Sequence, residues 1–324
     1  MYLYTGYERQ VNPDTDKSLE RKTLILKEQM DQSDAIVIGA GSGLSTAAGY
    51  VYTGKRMEKY FSDFKKKYGI RDMYSGGFYP YQTMEEYWGF WCRYIWINRY
   101  APIPSDLYEK ILSLLKGKDY FVLTTNVDHC FQRVGFDQHR LFYTQGDYGL
   151  FQSDQPSGIT FHKTYDNYET IRKMVLSEGY EIADNNELIV PEGKEISMTV
   201  PTELIPYCPD DGKPMNMNLR SDNTFVEDGG WHRAEQRYSD FLNRHKGLRV
   251  LYLEMGVGMN TPVIIKLPFQ HFVSEDPDAF YACVSYGQAS TGESIAKRSV
   301  CIDEGIEPVV NGLLEYEGES HDAG

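Results

Sequence analysis

The chain has 324 residues, enough for one large domain with insertions or for two domains, and 41% of them are hydrophobic, which supports a sizeable core. A net charge of −14 argues against a nucleic-acid partner, which normally needs a basic face, although a local basic groove stays compatible with it. The five scattered cysteines (Cys92, Cys130, Cys208, Cys283, Cys301) form no disulfide framework and fit reduced thiols in the cytoplasm; the first residues lack a signal-peptide pattern, and no run approaches the ~18 apolar residues of a membrane span.

Residues 1–17 are polar and turn-rich and read as a loose arm. Ser18 caps a helix running to about Met30, with Leu19, Leu24, Leu26 and Met30 partly on one face. Asp34 to Leu44 reads as strand, tight turn and helix start; Ala35 to Ile38 are apolar on both faces, as in a parallel strand buried between helix layers. Residues 50–104 are crowded with aromatics, and Trp88, Trp91 and Ile95 fall at helical spacing, so a small helical module is expected there. A helix over 105–115 precedes a second strand, Tyr120-FVLTT.

Next comes YTQGDYG, Tyr143 to Gly149, between the apolar pairs Leu141-Phe142 and Leu150-Phe151; it reads as a strand end opening into a site. Residues 150–222 are polar and mixed, with short β-like runs such as EISMTV. A helix over 230–246 leads to strands at 248–253, 280–285 and 299–302. The alternation predicts an α/β, Rossmann-like doubly wound parallel sheet built from about 18–49, 105–149 and 223–324. The helical module (about 50–104) and a small second module (about 150–222) are then insertions forming a smaller lobe over the strand ends.

Two motifs carry chemistry. GAGSGLSTAAG, Gly39 to Gly49, follows a strand and opens a helix, so its amides and the hydroxyls of Ser42, Ser45 and Thr46 suit a pyrophosphate. The alternative is a tight connection with no ligand. Leu44 occupies the third glycine position of the usual dinucleotide fingerprint, and no acid-ended strand follows ~20 residues on, which points away from a hydride-transferring dehydrogenase. TTNVDHC, Thr124 to Cys130, ends the second strand, where such sheets bind ligands. Asn126 and Asp128 alternate and can share a face; Asp128 can accept from a carboxamide and Asn126 can meet ribose hydroxyls or hold a water, or the stretch is a polar turn with an Asx cap. His129 points away from both by alternation and is read as structural.

Taken in order, these segments resemble the sirtuins. GSGLSTAAG (41–49) matches their GAG-x-S turn, TTNVD their TQN-x-D, TQG (144–146) sits at their His-Gly, and GVGMNTP (256–262) replaces their phosphate turn. YFSDF, DMYSGGFYP, YTQGDYGLFQ, KTYDN, MNLRSD and FVEDGGWH resemble more narrowly the macrodomain-linked class M sirtuins. That resemblance implies NAD as a consumed co-substrate and protein ADP-ribosyltransferase activity. It also implies a lipoylated glycine-cleavage H-like carrier as acceptor, and a macrodomain ADP-ribose hydrolase as a further partner.

It further implies roles residue by residue. Ala40, Gly41, Ser42, Gly43, Ser45, Thr46 and Thr125 would line the NAD site with Asp128; Gly256, Val257 and Gly258 would meet phosphate mainly through backbone. Ser285 stands where an asparagine usually meets the adenosine ribose, and Cys301 and Ile302 lie near the expected adenine, or are ordinary strand core. Arg56 or Phe61 would substitute for a missing Pro-Asp-Phe-Arg segment. Asn126, Gln145 and Arg220 are the candidate catalytic residues, Arg220 as a clamp for a pyrophosphate or an acceptor carboxylate; Asp222 is a weaker candidate.

The glutamine changes the chemistry. Deacylating sirtuins use a histidine base at this place, help worth ~10²–10⁴ in rate. A neutral amide does not titrate near pH 7. Gln145 therefore fits a site that keeps nicotinamide–ribose cleavage and drops deacylation, with a glycohydrolase, a deacylase or a non-catalytic NAD-sensing module as rivals. Sirtuins often carry a four-cysteine zinc site in the second insertion. Here Ser153, Ser157, Cys208 and Asp211 stand at those places, so zinc is expected to be absent, although His162 and Asp211 could rescue a mixed site.

Overall fold

The computed structural model describes residues 8–258 and 262–322. In chain order the first part comprises β1 (Gln10–Val11), α1 (Leu19–Gln32), β2 (Ala35–Ala40) and α2 (Ser42–Ala47). The aromatic insertion folds as α3 (Lys55–Tyr68), α4 (Met73–Gly77) and α5 (Met84–Ile95), continued by a π-helical turn at Trp96–Tyr100. Then follow α6 (Leu107–Leu114), β3 (Tyr120–Thr124), α7 (Cys130–Arg133) and β4 (Leu141–Tyr143). The next stretch holds β5 (Gly146–Ser153), β6 (Tyr165–Asp166), α8 (Tyr168–Ser177), β7 (Glu181–Ile182), β8 (Leu188–Ile189) and β9 (Met215–Leu219). The chain closes with α9 (Gly229–Arg244), β10 (Val250–Met255), α10 (Lys266–Glu275), β11 (Phe280–Val284), β12 (Thr291–Gly292), β13 (Ser299–Ile302) and α11 (Ile306–Asp322).

Six strands form one parallel sheet in the order β13-β11-β10-β2-β3-β4. The chain runs outward from β2 through β3 to β4, then returns to the other side of β2 with β10. That reversal leaves a crevice at the carboxyl ends of β2 and β10, the place where doubly wound sheets bind ligands. Period-two alternation divides the core: Ile36 and Ile38 pack with Leu26, Ile111, Leu253 and Leu313 on one face, while Val37 packs with Phe121, Phe241, Tyr252 and Phe269 on the other. Ser18 caps α1 by accepting from the Arg21 N–H, as its position in the sequence predicts.

The two insertions share a third apolar cluster. Phe61, Phe64, Trp88, Phe90 and Trp96 of the helical part are buried with Phe151, Ile171, Met174 and Met217 of the later part. Each such side chain is worth ~1.5–3 kcal/mol when fully buried, so neither insertion stands alone.

Four expectations change. Residues 8–17 are not loose: β1 pairs with β12, and the buried Asp14 accepts the Cys301 N–H at 2.8 Å. Residues 1–7 of that arm lie outside the described residues. EISMTV forms no strand; its amides meet other segments, Ser197 N–H donating to Glu178 O and Val200 N–H to Glu85 O. The stretch at 141–143 is a strand in its own right, and the small module's first strand starts at Gly146 rather than after residue 149. The strand expected at 248–253 lies at Val250–Met255. Replacing Asp14 with alanine strands a buried N–H and is expected to lower stability by about 1–3 kcal/mol, read from urea unfolding of the two chains; an unchanged midpoint would show that this segment does not anchor β13.

Candidate active site

Two glycine turns touch at the crevice. Gly41 N–H donates to Met255 O at 3.1 Å and Gly43 N–H to Gly256 O at 2.9 Å. A Cβ on Gly41 would stand 2.7 Å from Gly256 O, and one on Gly256, whose φ is +63°, would stand 2.4 Å from Leu44 N. These glycines therefore serve backbone approach between two strand ends. This corrects part of the sequence reading: the Gly41 and Gly43 amides are already bonded and are not free for a pyrophosphate. Thr46 Oγ1 donates to Ser42 O, and Ser45 Oγ to Asp128, which leaves Ser42 Oγ as the turn's hydroxyl without a partner among the described residues. Val257 is buried beside this contact, Gly258 follows it, and residues 259–261 of the GVGMNTP run lie outside the described residues.

The end of β3 is tied to the same turn. Thr124 Oγ1 and Thr125 N–H both donate to Ala40 O at 3.0 Å. Asn126 Nδ2 donates to Gly41 O at 3.0 Å. Asp128 accepts from Ser45 Oγ at 2.5 Å and, through its other oxygen, from Cys130 N–H at 3.0 Å. Asn126 and Asp128 are thus both buried and both reach the glycine turn. Asn126 Oδ1 and the second lone pairs of Asp128 remain for a ligand.

Gln145 follows β4. Its Nε2 donates to Thr144 Oγ1 at 3.1 Å, and its backbone carbonyl accepts the Arg220 backbone N–H at 3.0 Å. The second contact follows from register: β5 and β9 pair antiparallel with Gly146 opposite Leu219, so Arg220 must sit beside Gln145. The Arg220 guanidinium stacks 4.2 Å from the Phe225 ring centroid, lies 5.5 Å from that of Trp231, and pairs with Glu227 at 2.5 Å. Asp222 instead closes a local turn onto Thr224 N–H at 2.8 Å.

Asp147 is buried under this stretch. Arg99 Nε lies 2.7 Å from one of its oxygens and His129 Nδ1 2.7 Å from the other, and Gly149 N–H adds a bond of 2.6 Å. Burial pushes this carboxyl up, but the His129 hydrogen bond and the Arg99 charge outweigh it and leave it at about 2, below its usual 3.8. His129 does turn from Asn126 and Asp128, but through a left-handed backbone (φ 65°) rather than strand alternation.

The remaining candidates divide. Ser285 N–H donates to Ile302 O at 3.2 Å, joining the ends of β11 and β13. The Cys301 and Ile302 side chains are fully buried, so ordinary strand core is what the structure shows for them. Phe61, the other candidate substitute for the missing segment, is buried in the helical insertion with its ring 4.7 Å from that of Phe90. Arg56 donates to Ile97 O at 2.6 Å and Asn98 Oδ1 at 3.0 Å, bracing the helical insertion.

No protein-family model matches the chain. Among solved structures, Sir2Tm bound to a propionylated peptide aligns with a TM-score of 0.53 at 15% identity over 92% of this chain and 99% of that one. A Sir2–p53 peptide–NAD+ structure aligns with a TM-score of 0.53 at 15% identity, over 91% and 98%. These show the fold. A protein ADP-ribosyltransferase of Staphylococcus aureus (strain Mu50 / ATCC 700699) is 34% identical over 291 residues, 90% of this chain and 86% of that protein. The chain belongs to the sirtuin-type protein ADP-ribosyltransferases. A probable bifunctional ADP-ribose hydrolase/ADP-ribosyltransferase of Fusarium oxysporum f. sp. cubense is 25% identical over 77% of this chain, which spans 40% of that longer protein.

In this sirtuin the small module is tied by hydrogen bonds at Ser153, Cys208 and Asp211. Asp211 accepts from Ser153 Oγ at 2.9 Å, Thr160 Oγ1 at 3.2 Å and Lys213 N–H at 3.0 Å. Cys208 Sγ lies 3.3 Å from Tyr165 OH, and His162 is exposed. Among the described residues no group of three or more His, Cys, Asp or Glu is placed to hold a metal.

Sequence reasoning missed Arg99 and the Ser45–Asp128 bond. A signal for Arg99 existed: it is a cation at the end of an aromatic helix, WINRY, where a buried partner acid is required. Asp147 is the test of this arrangement. The folded carboxyl ionises below the unfolded one, so its stabilisation is present above about pH 4 and lost as pH falls through about 2. Asp147→Asn leaves the half-buried Arg99 without its counter-charge and is expected to cost about 2–3 kcal/mol and to flatten the acid limb of stability against pH, followed by denaturant titration.

Proposed function

We propose that this protein cleaves the nicotinamide–ribose bond of NAD and passes ADP-ribose to a protein acceptor, a lipoylated glycine-cleavage H-like carrier. The observation that carries the reading is the buried Asn126/Asp128 pair, held on the glycine turn by Gly41 O and Ser45 Oγ, beside a residue that does not titrate. Asp128 accepts from the carboxamide of the nicotinamide. Asn126 Oδ1 and Gln145 Oε1, neither of which meets a donor among the described residues, orient a ribose hydroxyl and the incoming nucleophile. Ser42 Oγ and the backbone around Gly256 to Gly258 meet the pyrophosphate, and Ser285 the adenosine ribose. Arg220, near the Phe225 and Trp231 rings and beside Gln145, clamps an acceptor carboxylate in exchange for Glu227.

The balance is simple. The C–N bond to nicotinamide breaks with its electron pair leaving on the nitrogen. A bond from the same ribose carbon to the acceptor forms, and one proton is released. Charge builds on the ribose as the bond breaks, and oriented amide oxygens stabilise it without proton transfer. Water in place of the acceptor would make the same site a glycohydrolase. The fungal relative's name joins a hydrolase and a transferase, which supports a macrodomain-type ADP-ribose hydrolase as a partner. The five cysteines are all buried and unpaired, in keeping with a cytoplasmic setting, and no helix among the described residues is long and apolar enough to cross a membrane.

Purified protein is expected to release nicotinamide from NAD only when the lipoylated carrier is present, with one ADP-ribose added to the carrier by intact mass. Asn126→Ala is expected to lower that rate by roughly 10²–10³. Release without the carrier and without mass gain would instead establish the glycohydrolase. The same reading holds the small module together without zinc: a chelator should leave the melting midpoint in place, whereas Asp211→Ala, which strands two hydroxyls and an amide, should cost about 1–3 kcal/mol.

A further inference from the structure

The outer flank of edge strand β4 carries a cavity of about 260 Å³ walled by His129, Gln132, His139, Tyr143, Arg233 and Arg237, among others. Arg233 and Arg237 are four residues apart on α9, so one helix face presents both guanidiniums. The chain has 47 acidic residues against 33 lysines and arginines, so a surface cation has carboxylates to choose from. Nearby cations take them: Arg140 reaches Asp119 and Asp137, Arg244 reaches Asp119, and His232 reaches Glu235. Arg233 and Arg237 reach none among the described residues. Asp228, at the start of the same helix, is occupied by Trp231 N–H and Thr164 Oγ1.

Arg237 is the telling residue. Its Nη2 makes one long bond, 3.4 Å, to Gln138 O, and its Nε–H is buried with no acceptor. Buried donors are normally paired. His129 adds to the same wall with Nδ1 committed to Asp147, which leaves Nε2 without a partner among the described residues.

We infer that this cavity binds an oxyanion, a carboxylate or phosphate group, gripped by the fork of Arg237 with Arg233 and His129 around it. A guanidinium whose Nε–H has no acceptor and whose Nη2 makes one long bond carries unspent donors in the fork geometry that matches the two oxygens of such a group. The volume lies below the ~300–1,000 Å³ of ordinary small-molecule pockets, so the site takes a small ion or one group of a larger molecule rather than a nucleotide. The inference does not rest on the transfer reaction, since no residue proposed to hold NAD or the acceptor lines this wall. Its source is either free phosphate or an acidic side chain of a protein partner.

Titration of the isotope-labelled full chain separates these, followed by the arginine Nε–Hε resonances. Inorganic phosphate and hexaglutamate are the two probes. The Arg237 resonance should shift saturably with at least one of them. Arg237→Lys, which keeps the charge and most of the apolar stem but loses the fork, should weaken that probe about tenfold, and Arg233→Ala with Arg237→Ala should abolish its binding. Saturation by phosphate alone assigns a small ion; saturation by hexaglutamate assigns acidic side chains. No saturable shift with either probe, or equal affinity in the lysine chain, would overturn the inference.

Discussion

A single buried carboxylate organises the region around the candidate site. Asp147 belongs to the first strand of the small module, Arg99 to the end of the helical insertion, and His129 to the turn after β3. Three chain segments far apart in sequence therefore converge on two oxygens. The geometry leaves little slack: a buried charge without its partner costs more than the pair returns. His129 adopts a left-handed backbone at φ 65°, a conformation that disfavours L-residues by roughly 1–2 kcal/mol, and its bond to Asp147 offsets that strain. The consequence for chemistry is that the imidazole next to Asp128 in the chain is anchored at one nitrogen and lines the cavity on the outside of β4.

The glycine turn works by closeness rather than by donating. Gly41, Gly43 and Gly256 let the ends of β2 and β10 meet backbone to backbone, and the amides of Gly41 and Gly43 are consumed in that meeting. What the turn offers to neighbouring groups is acceptors and hydroxyls: Ala40 O and Gly41 O orient the residues after β3, and Ser45 holds Asp128. The polar pair is thereby fixed before any ligand arrives, which is the condition for electrostatic preorganisation. A fixed arrangement of amides stabilises charge rather than moving a proton.

Packing of the insertions serves the same end. Their shared aromatic cluster sets the height of Arg99 over β5, and the antiparallel pairing of β5 with β9 carries Arg220 to Gln145. Within the small module Asp211 gathers two hydroxyls and an amide.

Much of this was legible in the sequence. Continuous apolar runs at Ala35–Ile38 and Tyr120–Leu123 mark strands buried on both faces, because helices cover a parallel sheet on each side, and the order of glycine turn, TTNVD and TQG places a site at their carboxyl ends. Other features were out of reach. EISMTV alternates like a strand, yet its amides are taken up by Glu85 and Glu178 carbonyls, and a local pattern does not reveal a nonlocal partner. The docking of residues 8–17 depends on Asp14 meeting Cys301, nearly the whole chain away. The Gly41 and Gly43 amides looked free because their acceptors, Met255 and Gly256, lie at the end of a strand joined only by the sheet. Sequence by itself determined the main strands and helices of the parallel sheet and which residue types gather at their carboxyl ends, since burial and backbone propensity act locally. Tertiary structure alone decided which donors are spent, which way His129 faces and what Asp147 holds, since those are set by partners that sheet order and register bring together.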